Sequence, residues 1–333
     1  MMKTTDFKPY FRSALTLLLF AGAASCSKDD GPEQGADSAY IAKVYDFMPA
    51  VGQFTNTMPE YEPGDTRETI IAKAERLIKG EKPKGMISLG GFGGYVVFGF
   101  DHMIENVAEQ RDFRVMGNAF WADANPNPAA PAKGGSCEAG VIMVSYDANG
   151  NGLPDDKWYE IAGSEDSRST KNYEITYFRP IPGKIPVLDE NIFYATDTEY
   201  IYWEDNQGNS GYKMKNQYHG QSYYPLWVAG DKITFTGTLL PDNAVDESGE
   251  GKYWVQYSFD YGYADNAPNN DDESAIDIDW AVDENGDKAD LPGIHFVKVY
   301  SGMSQECGWL GETSTEVSGA YDLHMLGISI ATR

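Results

Sequence analysis

An acidic, asparagine-rich segment at residues 147–156 carries the clearest chemical pattern in this 333-residue chain. Oxygen-bearing side chains recur at alternate positions, and Gly150 and Gly152 allow the sharp bend that lets such side chains converge. Ca²⁺ takes about six to eight hard oxygen ligands, many of them from one tight loop. The segment therefore predicts a structural calcium site. Its ligands would be Asp147, Asn149, Asn151, the Leu153 carbonyl, and Asp155 or Asp156.

The calcium interpretation has an alternative that the sequence leaves open. Trp158 stands where an EF-hand would have its bidentate glutamate, so the pattern is closer to the Asp/Asn-rich calcium loops of extracellular modules. A solvated hairpin loop also uses asparagine and glycine, for turn geometry alone. Both interpretations fit the residues of this segment.

A second group of residues suits the binding of an organic ligand. Aromatic side chains are frequent between residues 202 and 227, where polar residues stand among them. An exposed aromatic ring can cover the apolar face of a sugar or a macrocycle, while the polar neighbours orient the ligand. The same aromatic residues could instead fill a core. The predicted ligand contacts are Tyr202, Trp203, Tyr212, His219, Tyr223, Tyr224 and Trp227, with Trp309 further along the chain.

Catalytic signals are weak, and no catalytic residue is predicted. The four histidines do not stand at metal-ligand spacing, and no nucleophile elbow or phosphate-binding loop occurs. A carboxylate pair for glycoside hydrolysis stays open, but acidic residues are so abundant that their presence alone decides nothing. The acidic segment at residues 265–273 is expected to be a solvated loop, and 275–282 a strand with one wet face.

The charge and the cysteines narrow the classes of partner and compartment. The net charge is −25, with 51 acidic against 26 basic residues. Such a chain is expected to repel nucleic acid and anionic lipid, because binding to either depends on lysine and arginine. Cys137 and Cys307 remain after the N-terminal segment, and in an oxidising compartment they are predicted to form a disulfide. Two buried free thiols are the alternative.

The N-terminus predicts export and lipid anchoring. Basic residues precede a short apolar run, and small residues then lead to Cys26. This layout resembles a bacterial lipoprotein signal: residues 1–25 would be removed and Cys26 lipidated. Residues 26–38 would form a polar tether. We expect the protein to be lipid-anchored in the outer membrane and exposed at the cell surface.

The remaining residues, 39–333, predict an all-β unit with one short helix near its start. Thr66 or Asp65 can cap that helix, and apolar residues follow at helical spacing up to Gly80. Many short alternating segments separated by turn residues then favour a β-sandwich or jelly roll. Val96, Phe98 and Phe100 would share one face of a strand. Residues 180–186 are the one candidate seam.

Much of the chain resembles a family of Bacteroidetes cell-surface lipoproteins. The similarity rests on the Gly-rich run and strand at 88–101, and on 112–120, 138–144, 147–156, 158–164, 223–225, 246–251 and 307–312. The first blocks are also similar to galactose-binding-like jelly-roll modules. That resemblance implies a binding protein, often with a structural Ca²⁺, which captures a nutrient and delivers it to an outer-membrane transporter. A glycan is the favoured ligand. The alternatives are a corrinoid of the vitamin B12 type, or activity as a glycoside hydrolase or lyase.

Overall fold

The computed structural model describes residues 37–122, 127, 129–130 and 132–332, and residues 37–333 cluster as one compact unit. The predicted signal peptide, Cys26 and most of the tether lie outside the described residues. Strands make up 38% of the structure and helices 8%. Over the described residues the protein is therefore an all-β sandwich with one α-helix, as the sequence predicted.

The helix α1 spans Arg67–Ile78. The strands before residue 200 are β1 (Lys43–Met48), β2 (Ile87–Ser88), β3 (Tyr95–Glu105), β4 (Phe113–Met116), β5 (Phe120–Trp121), β6 (Gly134–Ser136), β7 (Gly140–Ser145), β8 (Trp158–Ile161), β9 (Thr170–Phe178) and β10 (Ala195–Asp205). The later strands are β11 (Ser210–Asn216), β12 (Lys232–Leu239), β13 (Ala244–Asp246), β14 (Trp254–Tyr257), β15 (Tyr263–Ala264), β16 (Ala275–Ile276), β17 (Ala281–Val282), β18 (Gly293–Ser301), β19 (Glu316–Val317) and β20 (Gly319–Asp322).

Antiparallel pairing organises these strands into five sheets. The largest has the order β1-β3-β18-β7-β8-β17, with β15 added beside β7. Two four-stranded sheets follow, β11-β10-β9-β12 and β13-β14-β6-β5. The smallest are β16-β4-β20 and β19-β2. The short strands of these smaller sheets come from distant parts of the chain and bring their connecting loops together.

The main core lies on one face of the largest sheet. Val96, Phe98 and Phe100 of β3 all belong to it, which confirms the predicted face. The helix covers part of this core with Ile70, Ala74 and Ile78. It begins where predicted: the side chain of Thr66 accepts a hydrogen bond from the Thr69 backbone, and the Thr69 hydroxyl accepts one from the Thr66 backbone.

A second core lies beneath the β11-β10-β9-β12 sheet. Alternate residues of β9, namely Tyr173, Ile175 and Tyr177, are buried there with Phe92. Gly93 is needed at this contact: its φ is +86°, and a Cβ at that position would lie 2.2 Å from the Cβ of Phe235.

The structure interrupts the strand expected at 275–282 and places the candidate seam at 180–186 between two paired strands. The expected strand at 275–282 was wrong, because a 3₁₀ turn at Ile278–Trp280 separates β16 from β17. Asp277 is buried, and its side chain accepts a hydrogen bond from the Asp279 backbone, which starts the turn. The candidate seam at 180–186 lies in the connection between β9 and β10, two strands that pair in one sheet.

None of the helices in the described ranges has the length and apolar character needed to cross a membrane.

Candidate functional site

A cleft of about 480 Å³ lies where loops from several sheets meet. Its lining comes from widely separated parts of the chain, including the loops after β1, β4, β11 and β18 and the strands β6, β14 and β19. The volume falls within the range of small-molecule binding sites, about 300 to 1,000 Å³. Amide, acidic and aromatic side chains line this cleft, among them Gln53, Phe54, Glu138, Tyr218, His219, Gln256, Trp309, Glu312 and Glu316.

One side of the cleft is aromatic, and we call Phe54, Tyr218, His219 and Trp309 the aromatic side. Tyr218 and Trp309 meet edge to face with ring centroids 6.3 Å apart, and Phe54 and His219 do the same at 4.9 Å. Tyr218 is 58% exposed and Trp309 36%, so both rings are open to a ligand. Burial lowers the pKa of His219, which keeps its imidazole neutral near pH 7.

Two backbone contacts fix Trp309 in place. Its indole Nε1 donates to the Lys252 carbonyl over 3.2 Å, and its own carbonyl accepts from Asn216 Nδ2 over 2.5 Å. The exposed indole ring is thus held by hydrogen bonds rather than free to rotate, which lowers the entropy cost of stacking a ligand against it.

A group of three acidic residues, Glu138, Asp265 and Glu316, adjoins the cleft, and we call it the carboxylate cluster. One carboxylate oxygen from each lies within 4.8 Å of the other two. Glu138 and Glu316 line the cleft. Asp265 is 3% exposed and accepts hydrogen bonds from the backbones of Asn118, Ala119 and Glu316.

The remaining contacts of the cluster are polar and uncharged. Glu138 accepts from the Ser314 backbone and from Gln256 Nε2, and Glu316 accepts from the Ser314 hydroxyl over 2.9 Å. Within the described ranges, no lysine or arginine forms an ion pair with any of the three acids. The described part of the chain therefore supplies no ion-pair partner for the cluster.

Burial raises the pKa of all three carboxyl groups. For Glu138 and Glu316, the negative charges of the other cluster members raise the pKa further. Hydrogen bonds from backbone amides oppose the increase at Asp265. Glu312, on the same cleft, has its pKa raised to about 7, again chiefly by burial. Near neutral pH the cleft thus holds carboxyl groups that either keep protons or need a cation.

The structure divides the predicted aromatic contacts into three groups. His219 and Trp309 both line the cleft, and their contact with a ligand stays a prediction. Tyr223 and Tyr224 are 3% and 1% exposed and form part of the second core, so for them the structure favours packing, the alternative interpretation of this segment. Trp203 packs against the same core.

The other predicted aromatic residues lie away from the cleft. Trp227 packs against the main core and stacks on Tyr61, with the two ring centroids 6.3 Å apart. Tyr202 and Tyr212 are cross-strand partners of β10 and β11, with ring centroids 5.5 Å apart, and line a separate surface groove. The periodicity of β10 explains the division between Tyr202 and Trp203, because neighbouring residues of a strand point to opposite faces.

The expectation of a solvated loop at 265–273 was wrong for its first residues. Asp265 and Asn266 are 3% and 1% exposed. Sequence reasoning missed the carboxylate cluster because its members come from separate parts of the chain and share no local spacing. A partial signal was present: Glu316 and Asp265 each adjoin apolar strand residues, Val317 and Ala264, where a carboxylate is unusual.

Cys137 and Cys307 are free thiols in the structure, and both are buried. This corresponds to the alternative interpretation and corrects the predicted disulfide. Cys307 Sγ lies 3.6 Å from the Thr313 hydroxyl oxygen, and burial raises its pKa to about 12. Burial also raises the pKa of Cys137 far above its usual value. Thiols with such pKa values react slowly, because the thiolate is the reactive form.

The predicted calcium loop lies between β7 and β8 and is exposed over most of its length. The Asp147 carboxylate accepts from the backbones of Asn151 and Gly152, over 3.1 and 2.9 Å. The side-chain amides of Asn149 and Asn151 both donate to Asp155. Asp156 accepts from the Ala148 backbone, and the Leu153 carbonyl accepts from the backbone of Asp155.

The side chains of this loop thus bind to its own backbone and to one another, and their oxygens are of the hard type that Ca²⁺ prefers. Rotation of an asparagine amide would turn its oxygen toward the position that its nitrogen takes here. Calcium binding by the loop stays a prediction, and a hairpin held by its own hydrogen bonds remains the alternative.

Removal of calcium is expected to lower the melting temperature by about 5 °C or more if the loop holds the ion tightly. The measurement is thermal unfolding with calcium and with a chelator. Asp155→Asn is the matched variant, because it removes one ligand charge at nearly constant shape. It should abolish the effect of the chelator. An unchanged midpoint in the original chain would contradict a tight structural site.

Comparisons with known proteins do not assign the chain to a family. No protein-family model matches the chain, and no curated protein matches it.

Proposed function

We propose that this protein binds an organic nutrient ligand, a glycan in the first place, in the cleft between the aromatic side and the carboxylate cluster. The observation that carries the proposal is the composition of the cleft. The exposed rings of Trp309 and Tyr218 lie in one cavity with the carboxyl groups of Glu138, Glu312 and Glu316. Sugar rings offer apolar faces for stacking and hydroxyl groups that donate hydrogen bonds to carboxylates.

The cellular setting of the proposal comes from the N-terminal sequence. A lipid on Cys26 would hold the protein at the outer surface, and the chain would pass its ligand to an outer-membrane transporter. The resemblance to Bacteroidetes surface lipoproteins supports this setting. The negative charge of the chain agrees with attachment through lipid rather than through contact with anionic headgroups.

A second candidate function is glycoside hydrolysis, and one observation favours it. Glu138 and Glu316 line the same cleft, with carboxylate oxygens within 4.8 Å of each other. Retaining glycosidases hold two carboxyl groups at about 5 Å and keep one of them protonated. The raised pKa of Glu138 would suit the acid of such a pair. Release of reducing ends from a bound glycan would move the assignment from capture to catalysis.

The proposal predicts that Trp309→Ala weakens glycan binding by about tenfold or more, because a large stacking surface is lost. The measurement is calorimetry of the chain from residue 27 onward against a panel of short oligosaccharides and against cyanocobalamin. Tyr212→Ala is the matched control: it removes an aromatic residue that is 43% exposed on a different surface.

Three outcomes would contradict the proposal, either in its site or in its ligand. Loss of binding in Tyr212→Ala with full binding in Trp309→Ala would place the site in the other groove. Binding of cyanocobalamin alone would favour the corrinoid alternative. Binding of neither ligand class would remove the proposed function.

A further inference from the structure

We infer that the group of the ligand that reaches the carboxylate cluster is an organic cation, most simply the ammonium group of an amino sugar. The inference rests on the proposed function, because it assigns a chemical class to the ligand of the same cleft. It depends on three features of the cleft: side-chain donors of its lining are already used within the protein, its cluster of carboxyl groups has no cationic partner among the described residues, and its volume exceeds that of a single metal ion.

The first feature is the use of hydrogen-bond donors. The Ser314 hydroxyl donates to Glu316, and Gln256 Nε2 donates to Thr313 over 3.0 Å. Gln53 Nε2 donates to the Leu310 carbonyl over 2.6 Å. These donors of the lining are thus occupied by acceptors of the protein itself.

One buried acceptor of the lining has no donor among the described residues, which also favours a ligand that brings donors. Gln53 lines the cleft and is 2% exposed, and its amide oxygen has no hydrogen-bond partner. A buried acceptor without a partner costs about 1 to 3 kcal/mol, and a donor on a ligand would remove that cost. A ligand with several N–H groups matches such a lining better than one that brings further acceptors.

The second feature is charge. The titratable groups around the cluster are Glu312, the two neutral thiols and neutral His219. The nearest basic residue acting on Glu312 is Lys213, which already pairs with Glu306 over 3.3 Å. No cation of the described residues is left to neutralise the cluster, so a cationic ligand would gain most from binding there.

The third feature separates an organic cation from a metal ion. A metal ion would occupy only the space between the three carboxylates, whereas the cleft measures about 480 Å³ and continues to the aromatic side. An amino sugar would place its ring against Trp309 and its ammonium group near Glu138 and Glu316. Uronic acids and sulfated sugars would bring a further negative charge, which raises the cost of ionising these buried carboxyl groups.

Binding of a cationic ligand should also release protons from the carboxyl groups of the protein. A cation beside the cluster lowers the pKa of its carboxyl groups, and protons that the free protein holds then pass to the buffer. A neutral sugar would release few or none. Calorimetry in two buffers of different ionisation enthalpy measures this number directly.

The test compares a glucosamine oligosaccharide with the N-acetylglucosamine and galacturonate oligosaccharides of equal length, at about pH 6, where the amine is charged. We expect the glucosamine form to bind about tenfold tighter or more, with proton release. Glu138→Gln should remove both effects. Glu204→Gln, which changes an exposed glutamate on β10, is the matched control and should change neither.

The outcomes distinguish this inference from the proposed function. Equal binding of the amine and acetylated forms, or preference for the galacturonate form, would overturn the inference. The proposed function would survive either result if Trp309→Ala still lost binding. Binding of Ca²⁺ alone at Glu138, with no amine binding, would also overturn the inference. No binding of any oligosaccharide would remove both.

Discussion

Replacement of Glu316 by glutamine is expected to raise the melting temperature at about pH 8 by about 5 °C and to flatten its dependence on pH. Burial and two neighbouring carboxylates raise the pKa of Glu316 well above its ordinary value. The folded state then binds more protons than the unfolded state. Stability should therefore be complete below the ordinary carboxyl pKa and should fall as the pH rises through the raised values.

Glutamine mimics the protonated form of Glu316 and can still accept the hydrogen bond from the Ser314 hydroxyl. It also removes one negative charge from beside Glu138, whose pKa is raised to about 8 in the original chain. The pH window of the effect thus opens at the ordinary glutamate pKa of about 4.5 and includes the raised pKa of Glu138, about 8.

The measurement is thermal unfolding across that pH range without divalent cations. Glu204→Gln serves as the control and should retain the original dependence. If the Glu316 variant lost stability with rising pH as steeply as the original chain, the carboxylate cluster would not be the cause of the pH dependence.

Replacement of Gly117 by alanine is expected to destabilise the fold by about 2 to 3 kcal/mol and to weaken ligand binding. A Cβ at this position would lie 2.1 Å from Asp265 Oδ1. Asp265 cannot easily move away, since the Asn118 and Ala119 backbones donate to that same oxygen over 2.7 and 2.8 Å. The new methyl group would break these contacts and displace one member of the carboxylate cluster.

Urea unfolding measures the change as a lower midpoint at an unchanged slope. Gly220→Ala is the matched control, because a Cβ there would meet no atom within 4 Å. Equal midpoints for the Gly117 variant and the original chain would show that the cluster tolerates a shift of Asp265.

Local patterns in the sequence predicted the elements of this fold well. The alternation of Val96, Phe98 and Phe100 identified an inward face, and Thr66 identified the start of α1, because both features depend on residues close in sequence. The predicted strand at 275–282 failed for a local reason: Asp277 starts a 3₁₀ turn through a hydrogen bond that alternation alone cannot reveal.

The candidate site could be predicted only in part. His219 and Trp309 were recognisable by residue type, whereas Trp203 packs against the second core by strand parity and Tyr223 is buried there from a loop. The carboxylate cluster was missed because Asp265 looks like any residue of an acidic loop until the strands around it pair. Abundant surface acids in a chain of net charge −25 hide the few that are buried.

The most direct test of the cleft as the ligand site is a crystal structure of the protein with a glucosamine oligosaccharide bound. We expect a sugar ring against Trp309, with its nitrogen within hydrogen-bond distance of Glu138 or Glu316. A sugar bound instead beside Tyr202 and Tyr212, with the cleft filled by water, would contradict it.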